Sequence, residues 1–131
     1  MTGKVDIAKA FFAAWARQDH DAVLALLHDE VEYQNMPFPD IFRGKAAIAG
    51  FMAKFGKGMT GIHVELRHIV EVGDVVFHEG VETYVRKGIR VALPYCGVFE
   101  IQDGLIRGWR DYFDARTLET QLTAGKSSAS A

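Results

Sequence analysis

Apolar residues recur at helical spacing through Ile7, Ala8, Phe11, Phe12 and Trp15 before the polar Gln18-Asp19, which predicts an amphipathic helix over Val5–Arg17 with one broad apolar face. Asp19 or Asp21 can cap a second, short helix carrying Val23, Leu24, Leu26 and Leu27 and ending near His28-Asp29, so the two helices form a hairpin. Val31–Asn35 reads as a short strand. It breaks at Met36-Pro37-Phe38-Pro39, because proline lacks the N–H that a ladder needs and disfavours helix in the residue before it. Arg43-Gly44 opens a third helix, with Ile48, Phe51, Met52 and Phe55 on one stripe, which dissolves in Gly56-Lys57-Gly58.

From Ile62 the period changes to two: Ile62, Val64, Leu66, Val70 and Val72 alternate with polar His63, Glu65, Arg67 and Glu71, the mark of a half-buried strand. Gly73-Asp74, Arg86-Lys87-Gly88 and Asp103-Gly104 then punctuate the strands Val75–Val85, Ile89–Ile101 and Leu105–Phe113, a meander of antiparallel strands. Helices first and consecutive strands afterwards predict one α+β domain over residues 1–122, with helices covering one face of the sheet. The small polar residues 123–131 read as a flexible C-terminal tail.

Length and composition narrow the function classes. A chain of 131 residues, 49% apolar and 24% charged with a formal net charge of −2, has the size and make-up of a single globular domain. It carries no basic excess that would suit nucleic acid. The N-terminal segment shows no long apolar run and no run elsewhere would span a bilayer, so the expected location is cytoplasmic, with no membrane partner. The single cysteine, Cys96, cannot form an intrachain disulfide, and it lies in no zinc-ligand spacing. His63, His68 and His78 are too dispersed to form an evident ligand set. They read as surface or internally satisfied histidines, and no metal is implied.

The strand faces decide which side chains can meet. Tyr33 and Asn35 share a face, as do His78, Gly80, Glu82 and Tyr84, and as do Trp109, Asp111 and Phe113. A three-residue turn at Gln102-Asp103-Gly104 would set Tyr95 opposite Asp111, whereas a two-residue turn would set Cys96 there. Asp111 stands between two large aromatics on its own face, and an ionised carboxylate in such surroundings costs several kcal/mol unless it is paired or hydrogen-bonded. That cost marks Asp111 as a site candidate. On its own strand Glu82 is turned outward by periodicity, because the opposite face, with Val75, Phe77, Val81 and Val85, is the more apolar.

The stretches Val31-Glu32-Tyr33-Gln34-Asn35-Met36-Pro37, Gly97-Val98-Phe99 and Asp103-Gly104-Leu105-Ile106-Arg107-Gly108-Trp109-Arg110-Asp111-Tyr112-Phe113-Asp114 resemble those of the limonene-1,2-epoxide hydrolase family. That family lies within the SnoaL-like, or nuclear-transport-factor-like, superfamily. The resemblance runs from Phe11 to about Leu118. It implies a cone-shaped fold, with a curved mixed or antiparallel sheet and three helices around a deep apolar pocket. It also implies a one-step, cofactor-independent hydrolysis in which Asp111 is the general base for a water held by Tyr33 and Asn35. A second acid protonates the epoxide oxygen and matches Glu82, where the family has Asp. Two positions earlier the family has an arginine linking the two carboxyl groups, and here that position is Gly80.

Phe12, Trp15, Phe55, Met59, Tyr84, Leu93, Tyr95, Trp109 and Phe113 are core candidates that the resemblance also places along the substrate cavity. The expected substrate is a small apolar epoxide, terpene-like or steroid-like, and the expected assembly is a homodimer through the apolar outer face of the Val75–Val85 strand. Two other classes fit the same residues. One is a SnoaL-like isomerase, cyclase or dehydratase with Asp111 as proton-transfer base, and the other is a non-catalytic small-molecule-binding protein.

Overall fold

The computed structural model describes residues 3–130. Helix α1 (Lys4–Ala16) and the short α2 (His20–Ala25) form the expected hairpin, with the Asp19 side chain accepting from the Ala22 N–H at 3.1 Å as the α2 cap. Leu26 and Leu27 leave the helix earlier than the periodicity suggested. Strand β1 runs over Leu27–Asn35, and a brief β2 (Ile41–Arg43) pairs with it after the proline-rich turn. Helix α3 (Lys45–Phe55) precedes the four long strands β3 (Met59–Val72), β4 (Val75–Arg86), β5 (Ile89–Gln102) and β6 (Leu105–Tyr112).

These strands form one six-stranded sheet in the order β2-β1-β6-β5-β4-β3, with β1 and β6 parallel and every other pair antiparallel. The expected α+β class and curved mixed sheet are therefore present, with a fourth helix beyond the three expected. Helix α4 (Ala115–Ser130) passes through the segment that the sequence suggested was a tail. Short-range periodicity missed it because its apolar contacts, Leu118 and Leu122, are two residues on a mostly polar helix. Ala131, at the end of the expected tail, lies outside the described residues. Among the described residues no helix is long and apolar enough to cross a membrane.

Two apolar clusters hold the domain. The larger joins Ile7, Phe11 and Ala14 of α1 to Val31, Ile48, Met52, Phe99, Ile106 and Trp109. The smaller, Met59, Tyr84, Val91 and Leu93, is covered by Phe55 and by Phe113, Leu118 and Leu122 at the far end of the sheet. Burying a side chain as large as Phe11 or Phe99 contributes roughly 1.5–3 kcal/mol. These contacts anchor α1 across the sheet and leave a space between the clusters.

The β5–β6 connection sets the register of the site. Asp103 and Gly104 both have positive φ, 55° and 74°, and Gln102 pairs with Leu105, so the turn has two residues. A register shift follows between Glu100 and Ile101, where Glu100 pairs with Gly108 and Ile101 with Ile106. Arg107 is thus the extra residue of a β-bulge. The result places Gly97 opposite Asp111, neither Tyr95 nor Cys96. A one-residue insertion reverses the face on which every later residue falls.

Candidate active site

The space between the clusters is a cavity of about 270 Å³. Phe12, Trp15, Phe55, Tyr84, Leu93, Tyr95, Trp109 and Phe113 line it, as do Tyr33, Asn35, Glu82 and Asp111. Met59, also expected there, instead packs in the smaller cluster with 4% exposure. Sequence reasoning missed Phe11, Phe42 and Phe51 as wall residues, although Phe51 lies on the apolar stripe of α3, and it missed Leu118 because it missed α4. Among the described residues no lysine or arginine lines this cavity.

Glu82 faces the cavity, contrary to what the periodicity of its strand suggested. The inner face of β4 carries His78, Gly80, Glu82 and Tyr84, while Phe77 on the outer face remains 45% exposed. Periodicity misled because the inner face of this strand borders a cavity as well as solid core, and a cavity wall tolerates polar groups that have partners. The partner of Glu82 is the Trp15 indole, whose N–H donates to Oε2 at 2.6 Å. Trp15 and Glu82 are 67 residues apart, so no local signal announced this bond.

The opposite wall is built by the parallel pair β1–β6. Their register sets Tyr33 beside Trp109 and Asn35 beside Asp111, and the Met36 N–H donates to the Asp111 carbonyl at 2.8 Å. The Tyr33 ring stacks on Trp109 with centroids 3.7 Å apart, and its hydroxyl donates to Asn35 Oδ1 at 2.9 Å. The Trp109 indole N–H donates to Asp111 Oδ2 at 3.2 Å. Glu82 and Asp111 thus have one tryptophan donor each, and a tyrosine–asparagine pair stands next to Asp111.

Electrostatics couple the two acids. Burial, and then the charge of Glu82, push the Asp111 carboxyl up to about 7. Burial also raises Glu82, against the opposing effect of the Trp15 hydrogen bond. Two carboxyl groups without a cation between them retain one proton between them to a higher pH than either would alone. The shorter tryptophan bond to Glu82 stabilises its anion more than the longer one stabilises that of Asp111, which favours the shared proton on Asp111. Tyr33 is held well above the ordinary tyrosine range by burial first and Asp111 second, and stays a hydroxyl.

Gly80 is enclosed by backbone. A Cβ placed on it would overlap the Glu65 carbonyl oxygen and would come within 3.3 Å of Leu66 Cα. The β3 chain therefore occupies the room that any side chain at position 80 would need. Of the three histidines, His68 lies on the surface against Glu79 at 2.8 Å. His63 is exposed, whereas His78 is buried on the inner face with its Nδ1 3.2 Å from the Tyr95 hydroxyl. Among the described residues no group of three or more His, Cys, Asp or Glu side chains could hold a metal ion.

The sequence matches the limonene-1,2-epoxide hydrolase catalytic domain over residues 2–124. The chain belongs to the limonene-1,2-epoxide hydrolase family. It is 35% identical to the epoxide hydrolase EphG of Mycobacterium tuberculosis over 117 residues, covering 89% of this chain and 77% of that protein. The solved structure of an LEH-like epoxide hydrolase from M. tuberculosis superimposes with a TM-score of 0.81 at 32% identity, covering 94% of this chain and 91% of that one. A SnoaL-like protein from Shewanella putrefaciens superimposes with a TM-score of 0.86 at 16% identity, over 95% and 98% of the two chains. The latter likeness is one of fold.

Proposed function

We propose that this family member hydrolyses a small, largely apolar epoxide. The observation that carries the reading is the pair Glu82 and Asp111, two coupled carboxyl groups on one aromatic-walled cavity, with Tyr33 and Asn35 beside Asp111. The cavity of about 270 Å³ lies near the lower end of the range for small-molecule sites, which favours a compact skeleton over an extended one.

In this reading a water held by Tyr33 and Asn35 gives a proton to the Asp111 carboxylate as its oxygen attacks an epoxide carbon. The carbon–oxygen bond breaks, and the Glu82 carboxyl delivers its proton to the departing epoxide oxygen, giving the diol. Turnover leaves the proton on Asp111 and the charge on Glu82, the arrangement that the two tryptophan bonds favour at rest. The proton must return from Asp111 to Glu82 before the next cycle. With the 2.6 Å Trp15 bond stabilising its anion, Glu82 holds the proton in the reactive form only.

The test is hydrolysis of a cyclic epoxide in ¹⁸O-labelled water. One labelled oxygen per diol is expected, and absence of diol across a panel of compact cyclic epoxides would count against the reading. The enclosure of Gly80 by β3 favours a second possibility, because no guanidinium can bridge the acids here. Asp111, with its carboxyl near 7, would then move a proton beside a ketone carbonyl as in an isomerase or cyclase. Solvent deuterium appearing in a cyclic ketone would mark it.

A further inference from the structure

We propose that Tyr95, oriented by His78, is the hydrogen-bond donor to the substrate's oxygen, standing on the rung between the two catalytic carboxyl groups. This assignment deepens the epoxide reading above and rests on it for the identity of that oxygen. The strand registers supply the geometry. On the inner face, one rung of the sheet carries Asp111, Gly97 and His78, the next carries Tyr95 and Gly80, and the next carries Leu93 and Glu82. Tyr95 therefore lies between the rung of the base and the rung of the acid, and its hydroxyl is the only polar side-chain group of its own rung on β4 and β5.

His78 sets the direction of that hydroxyl. Its ring lies over Gly97, where a Cβ would overlap it, and is wedged between Phe12 and Phe99 at centroid distances of 5.0 and 4.7 Å. It is 3% exposed; Nδ1 lies 3.2 Å from the Tyr95 oxygen, and Nε2 has no partner among the described residues. Burial lowers this imidazole to about 4, so it is neutral and carries one hydrogen. A hydrogen on Nε2 would strand a buried N–H among hydrocarbon rings, whereas a hydrogen on Nδ1 has the Tyr95 oxygen to meet it.

The field in the cavity selects the same arrangement. Asp111 and Glu82 both act on the Tyr95 hydroxyl, and the single negative charge of the pair draws the O–H dipole towards the cavity. Tyr95 then accepts from His78 Nδ1–H and offers its own hydrogen to a bound oxygen. It remains a donor and does not become a proton source, because burial first and the two carboxyl groups second push its ionisation well above the ordinary tyrosine range. Charge developing on the epoxide oxygen meets a fixed hydroxyl as well as the acid, with no side chain needed from position 80. His78 acts through Tyr95 and is a positioning residue.

Two measurements that need no turnover test this on the full chain. The first is the tautomer of His78, read from long-range ¹⁵N–¹H correlations of the imidazole in ¹⁵N-labelled protein, where Nδ1–H is expected. The second compares the affinities of cyclohexanone and methylenecyclohexane by calorimetry. Tyr95→Phe should shift their ratio about three- to tenfold against the ketone. His78→Leu should do the same, while His78→Asn, which keeps a donor near the position of Nδ1, should restore most of the preference. An Nε2–H tautomer, or a ketone preference that survives Tyr95→Phe in a variant of unchanged melting temperature, overturns the assignment. Failure to form labelled diol would bear on the epoxide reading alone, since neither measurement requires hydrolysis.

Discussion

Replacing Asp111 with Asn should stabilise the protein in mildly alkaline solution while removing its activity. The wild-type carboxyl is raised from an ordinary 3.8 to about 7, so the folded state resists ionisation that the unfolded chain undergoes freely. Below pH 3.8 the group is protonated in both states and contributes nothing. Between there and about pH 7 the unfolded chain ionises first, so the folded state loses stability as the pH rises, and above about 7 the loss is complete. A difference of roughly 3 pH units at 1.36 kcal/mol each sets a ceiling of about 4 kcal/mol. Because water can enter the cavity and Glu82 shares the effect, about 2 kcal/mol is expected for the neutral amide, or roughly 8 °C in Tm for a domain of this size. Thermal melts of both proteins from pH 4 to 9 provide the measurement: the curves should converge at the acid end and separate through pH 7. Parallel curves, or a destabilised variant at pH 8, would refute the claim that Asp111 carries a burial penalty. In the same variant turnover should fall by a factor of about 10² to 10⁴, since the amide has no site for the water's proton.

Glu82→Gln should lower turnover to a similar degree by removing the proton donor, with the fold retained because the amide oxygen can still accept from Trp15. Wild-type activity should decline as pH rises through about 7, where the pair loses its shared proton; a flat profile from pH 6 to 9 would contradict the coupled-acid reading. Gly80→Arg should destabilise by about 3 kcal/mol or more and fail to enhance turnover, because the β3 backbone must move to admit any side chain there; denaturant unfolding would reveal it. Val70, Val72 and Phe77 on the outer sheet face are 52%, 60% and 45% exposed, so light scattering should give twice the mass of one chain, and Phe77→Lys should shift it towards a monomer.

The alternation of apolar and polar residues was sufficient to predict helices α1 and α3 and the strand meander, because each buries one face and that requirement acts within a few residues. The same alternation marked Asp111, a carboxylate between Trp109 and Phe113 on one strand face, as a group whose burial needs explaining. Periodicity assigns residues to two faces of a strand but not which face lies inside, and for β4 that choice fell to the cavity between the clusters. Glu82 turns inward because Trp15, far away in the chain, supplies its donor. A single extra residue at Arg107 moved Asp111 opposite Gly97, and nothing in the spacing of turn residues announces a bulge. Whether Gly80 marks a lost side chain or a space already filled is likewise invisible in one dimension. The carbonyl of Glu65 fills it, and that contact exists only once β3 has paired with β4.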